Sequence, residues 1–252
     1  MKRFLILLKL EYNGLFIPLC AIIAAMALLQ GLLFGRSLQD FGNHISLATI
    51  INASRINIVF AIAFVSLLAF VALRFIMNYT PSKSIYALLT LPIKRKHVYW
   101  AKLVAALLAG VVLLAAQMLL ILVFNTITSG QEASVLGEYE IVRRNADLYL
   151  TLLDSSFLRM LFPPDIYSLL FTVFGLFGSI SVMLYVTVAA KAGKKASAFV
   201  SAGVWITALF LIFPLPENTL FFGNLGLTLM VAYLFATCKQ GIKLFEKGEV
   251  TG

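Results

Sequence analysis

The sequence is poor in charge, in histidine and in cysteine. Only 12% of its 252 residues are Asp, Glu, Lys or Arg, and it has two histidines and two cysteines. His44 and His97 stand in different loops, and Cys20 and Cys238 fall inside apolar runs. That leaves no His/Cys/carboxylate spacing for a metal, and the cysteines read as small core residues. The catalytic and nucleotide motifs HExxH, GxSxG and GxxxxGK[ST] are absent, as is a pair of intramembrane aspartates. No catalytic residue can be nominated, and any ATP chemistry must belong to another chain.

Apolar residues fill the space that charge leaves. They make up 61% of the chain, against roughly 45–50% in a soluble globule, and the mean hydropathy is +0.97. This composition belongs to a membrane protein. A bilayer core about 30 Å thick is crossed by about 20 helical residues. Six segments meet that length: 15–34, 56–77, 98–127, 166–190, 196–213 and 220–238. Residues 1–13 begin with Lys2 and Arg3, but Lys9, Glu11, Tyr12 and Asn13 interrupt the apolar run. They are expected to form a short helix lying in the inner interface and leading into the first span.

The expected fold is therefore all-α: one transmembrane domain over residues 1–252 with six spans, an N-terminal interfacial helix, an inner loop at 78–98 and an outer loop at 129–165. Alternate connections divide the charge very unevenly. The two termini, the 78–102 connection with Arg74 at its edge and the 191–195 loop carry 15 cations and three anions, whereas the opposite set carries five cations and eight anions. By the positive-inside rule the first set, with both termini, is cytoplasmic. The chain's net charge of +9 is then mostly topology, and nucleic acid is not expected as a partner.

The spans themselves offer few ionisable groups. Arg74 and Lys102 lie near span ends and can snorkel to the surface. Asn57, Gln117 and Asn125 are the neutral polar candidates for a translocation path. Trp205, in mid-span, either lines that path or packs inside the bundle. The absence of a proton relay argues against a secondary transporter or pump that carries its own; a stand-alone secondary transporter or channel, or a non-transport scaffold, stays as the alternative reading. Ser66, Ser179 and Ser181 are expected to bond backbone carbonyls of their own helices. Gly31 and Gly35 form a GxxxG spacing suited to close helix approach.

The inner loop has a pattern of its own. Pro81 can begin a helix and Ser82 or Ser84 can cap it; Ile85, Tyr86, Leu88, Leu89 and Leu91 follow, and Pro92 breaks it. Then come Lys94, Arg95 and Lys96, with Tyr99 and Trp100 expected at re-entry into the interface. The segment SIYALLTLPIKRKHVYWAKLVAALLAG resembles the inner loop of type-2 ATP-binding-cassette permeases, in which an apolar helix, a Leu-Pro, a basic cluster and a lysine precede the third span.

That resemblance implies a cytoplasmic coupling helix between spans two and three, with Ile85, Leu88, Leu91, Pro92, Lys94, Arg95 and Lys96 engaging an ATPase subunit. It implies a second permease subunit, identical or paired, and a membrane-lipid environment. No cofactor is implied on this chain, with ATP and Mg on the partner ATPase. It also implies residence in a bacterial cytoplasmic membrane. An apolar path and the family analogy together favour export of an apolar or amphipathic cargo, such as a peptide, toxin or drug.

The outer loop is expected to carry an amphipathic helix through Leu148, Leu152, Phe157 and Leu161. Pro163 and Pro164 would end it, and Asp165 would cap the next span.

Overall fold

A computed structural model describes residues 2–41, 47–78, 95–132, 155–163, 165–212 and 220–246. All regular structure among them is helical: α1 (Lys2–Phe41), α2 (Leu47–Ala53), α3 (Ile56–Asn78), α4 (Arg95–Glu132), α5 (Ser156–Leu161), α6 (Ile166–Lys191), α7 (Lys195–Ile212) and α8 (Leu220–Glu246). Among the described residues, four stretches are long and apolar enough to cross a membrane: Phe4–Asp40, Ile56–Met77, Lys96–Thr128 and Thr172–Lys191. They coincide with the first four expected spans. The fifth and sixth segments are the helices α7 and α8.

The first correction lies in α1, which is unbroken from Lys2 to Phe41. Residues 2–13 are continuous with the helix that follows rather than forming one of their own. Tyr12, Asn13 and Gly14 are poor helix formers, but Leu7 and Leu15 are both buried, so one packed face continues across the polar interruption. Pro18 also stands inside this helix. Its missing N–H is tolerated where tertiary packing holds the neighbouring turns.

The chain forms two compact units. The first comprises residues 1–17, 68–109 and 173–252, and the second comprises residues 18–67 and 110–172. Four long helices, α1, α3, α4 and α6, contribute to both.

In the first unit α4 buries a ladder of small residues. Ala101, Ala105 and Ala109, four apart, all have no exposed surface, a spacing that lets a neighbouring backbone come close. Gly241 in α8 is a second close approach, since a Cβ there would stand 2.6 Å from the Tyr99 hydroxyl. On α6, Ile180, Leu184 and Val188 repeat every four residues and are buried.

The α6–α7 turn is a Schellman motif. Lys194 N–H bonds Ala189 O at 2.9 Å and Gly193 N–H bonds Ala190 O at 3.3 Å. Gly193 has φ +76°, the left-handed conformation that glycine adopts without a Cβ penalty.

In the second unit the packing is aromatic and aliphatic. Phe34 stacks on Phe124 at 4.3 Å between ring centres, and Phe60 meets Phe157 of α5 at 5.8 Å. α5 buries Leu158 and Leu161 and ends at Leu161, before Pro163, as its sequence suggests. Residues 133–154, which hold the expected helical positions Leu148 and Leu152, lie outside the described residues. The backbone carbonyl of Asp165 accepts the bond from Leu169 N–H at 3.1 Å at the start of α6.

Outside these cores, large apolar side chains face outward on every long helix, among them Ile17, Leu28, Ile62, Leu119, Phe199 and Phe235. Water would not favour such a surface; lipid tails would.

Candidate functional site

Most of the expected coupling segment falls between α3 and α4. Ile85, Leu88, Leu91, Pro92 and Lys94 lie outside the described residues. Arg95 opens α4, and Lys96 is exposed on its first turn. The aromatic pair that follows departs from expectation, because Tyr99 has no exposed surface at all whereas Trp100 keeps 38%. Tyr99 is thus a core residue packed against Gly241, and of the two only Trp100 faces outward.

The polar cluster of the first unit is one that sequence reasoning missed. Glu11, on the third turn of α1, is 3% exposed. Its Oε1 accepts a hydrogen bond from Lys102 Nζ of α4 at 2.6 Å, and its Oε2 stands 3.6 Å from Arg74 Nε of α3.

Arg74 also donates from a terminal nitrogen to Leu10 O at 3.5 Å, and its guanidinium lies directly against Gly14, where a Cβ would overlap it. Lys102 Nζ is 5.6 Å from the centre of the Phe75 ring. Lys102 therefore does not snorkel: it is 7% exposed and bound inside. Arg74 keeps about a quarter of its side chain exposed and turns the rest toward Glu11.

A carboxylate in an apolar helix is costly unless paired, and breaking a buried pair costs about 3–5 kcal/mol. Here one carboxylate serves two cations from two other helices. The cluster has a net charge of +1, which disfavours a cation as its ligand. The available signal was Glu11 itself, the one acidic residue before Asp40. An intramembrane ionisable group is a functional candidate by default, and it had been assigned to the surface.

The four path candidates divide between the two units. Trp205 belongs to the first unit and is packed: 4% exposed, its indole N–H donating to Ser179 Oγ at 3.1 Å and its face stacked on Tyr233 at 6.0 Å. The other three belong to the second unit. Asn57 is exposed beside an open depression of about 420 Å³ lined by Ile58, Ala61, Ile62, Val65 and Ser66, and Asn125 is half-buried.

Gln117 is fully buried, and its Oε1 accepts from Gln30 Nε2 at 2.8 Å. Gln30, a residue that sequence reasoning passed over, is fully buried as well and also donates to Ile56 O at 3.4 Å. This amide pair ties α1 to α4 within apolar packing. Gln117→Leu alone is expected to cost about 1–2 kcal/mol by leaving the buried Gln30 amide only its longer bond to Ile56 O. The double variant Gln30→Leu/Gln117→Leu should lie within about 1 kcal/mol of the natural protein, and thermal unfolding in detergent measures both.

The hydroxyls divide. Ser66 donates to Ile62 O at 2.8 Å and Ser179 to Gly175 O at 2.7 Å, as expected. Ser181 instead pairs with Cys238 Sγ at 3.4 Å. Cys238 is buried but Cys20 is exposed, so only one of the two cysteines is a core residue. Gly31 and Gly35 have open space where a Cβ would stand. No three His, Cys, Asp or Glu side chains come together among the described residues. No protein-family model, curated protein or solved structure matches this chain.

Proposed function

We propose that this chain is the membrane permease subunit of an ATP-driven exporter of the type-2 ATP-binding-cassette class. In this reading it spans a bacterial cytoplasmic membrane six times with both termini inside. It pairs with a second permease subunit and takes its energy from a separate ATPase chain that holds ATP and Mg. The observation that carries the reading is the position of the 79–94 connection in the chain. It joins the ends of two long apolar helices, α3 and α4, whose Arg74 and Lys102 are both bound to Glu11 of α1.

A push delivered to that connection reaches three helices rather than one. Rigid-body motion of packed helices is how such transporters alternate access. The excess of cations in the connections assigned to the cytoplasm supports an orientation in which the 79–94 connection faces the side where ATP is. The apolar character of the helices favours an apolar or amphipathic cargo, with peptides and drugs the leading classes.

Purification of the full chain from its native membrane in mild detergent tests the reading. An ATPase carrying GxxxxGK[ST] is expected to co-purify, and Arg95→Glu is expected to reduce its recovery at least tenfold while leaving the amount of the chain in the membrane unchanged. Ion-gradient-driven flux by the purified chain, with no such ATPase recovered, would overturn it.

A further inference from the structure

Three observations within the first unit concern one carboxylate. Glu11 is nearly inaccessible, it bonds Lys102 at 2.6 Å, and Arg74 approaches its second oxygen at 3.6 Å. The two cations are placed with a regularity in the chain: Arg74 stands four residues before the end of α3, and Lys102 seven residues after the start of α4. They therefore flank the 79–94 connection, one on each side.

We propose that Glu11 is a positioning residue. Its single carboxylate clasps the ends of α1, α3 and α4 next to the 79–94 connection, so that the three move as one body.

The chemistry suits a clasp better than a ligand site. Two carboxylate oxygens, each directed to a different helix, fix orientation as well as distance. Low exposure keeps water and salt from screening the pair. Gly14, three residues on from Glu11, leaves the surface of α1 open where the Arg74 guanidinium lies; any larger residue would displace it. The excess positive charge disfavours a cation as occupant, and Arg74 exposes part of that excess to solvent through the quarter of its side chain that is accessible.

In its consequence for transport the clasp rests on the permease reading, because only a push on the connection gives the joint motion a use. The clasp itself is a property of this chain alone and can be measured without any partner.

The experiment uses the full chain in lipid nanodiscs with Cys20→Ser and Cys238→Ala, so that spin labels attach only where placed. Labels go on exposed positions of the three helices, Ile6 and Trp100 in one sample and Ile6 and Leu73 in another. Pulsed electron-electron resonance then gives the distance distributions for α1–α4 and α1–α3.

With Glu11 intact both distributions are expected to be narrow. Glu11→Gln/Lys102→Met removes both partners of the buried bond, leaving only the partly exposed Arg74 without its counter-charge, and should at least double the width of both while the protein stays monodisperse. Arg74→Gln, which leaves the Glu11–Lys102 bond in place, should broaden α1–α3 and spare α1–α4. It decides the matter if the double variant does not fold. Distributions as narrow as those of the natural protein in every folded variant would overturn the clasp. Broadening without a co-purifying ATPase would sustain the clasp and remove the permease reading instead.

Discussion

Glu11→Leu is expected to destabilise the chain by about 3–5 kcal/mol, because it leaves Lys102 inside apolar packing with no counter-charge. For a chain of this size that corresponds to a fall of about 10 °C in the midpoint of thermal unfolding. The size follows from burial. Lys102 is 7% exposed and Phe75 is the ring facing it, so the ammonium cannot recover water without moving α4. Arg74, a quarter exposed, can rehydrate and adds little to the loss.

The comparison that isolates the charge is Glu11→Leu/Lys102→Met, which should recover at least half of the lost stability. A stranded charge costs more than an absent pair. Fluorescence-detected unfolding in detergent reads both. Equal melting of Glu11→Leu and the natural protein would mean that the pair contributes nothing to stability.

Glu11 also shows where sequence reasoning stopped. The apolar runs located every long helix, because their lengths and composition leave no other structure in a bilayer. The 191–195 turn was legible too, as the short polar break between two apolar segments. The polar break at Glu11, Tyr12 and Asn13 was different. Local propensity reads it as a helix end, and only the presence of Arg74 and Lys102 on other helices turns it into the middle of one.

Gln30 was hidden for the same reason. A lone glutamine in an apolar run carries no spacing signal, and its meaning depends on Gln117, 87 residues away. The coupling reading rests on a local pattern and a family resemblance, and most of that segment lies outside the described residues. Pairwise chemistry between helices is the part that a single sequence does not display, because nothing in one helix's periodicity names its partner's polar residue.

Trp205 shows that long-range dependence at a glycine and provides the second large effect. Gly178 and Gly175 lie less than one turn apart on α6, and helix propensity alone predicts that alanine stabilises both by about 1 kcal/mol. Their surroundings differ. A Cβ at Gly175 meets nothing within 4 Å, whereas one at Gly178 would overlap the six-membered ring of Trp205.

That ring cannot easily yield. Its N–H is bonded to Ser179 Oγ at 3.1 Å, its face lies against Tyr233, and Tyr233 in turn donates to Ser201 O at 2.8 Å. Moving the indole gives up the stack and the hydrogen bond together, on top of an overpacking cost of about 1–3 kcal/mol.

Gly178→Ala is therefore expected to destabilise by about 3 kcal/mol and Gly175→Ala to be neutral or stabilising, a difference of sign that propensity does not give. Trp205→Ala should cost about 3–5 kcal/mol by leaving a cavity. In Gly178→Ala/Trp205→Ala the two losses should fall short of their sum by about 2 kcal/mol, because the smaller side chain removes the obstacle that the new methyl group meets. Additive losses in the double variant would mean that α6 and α7 do not meet at this point.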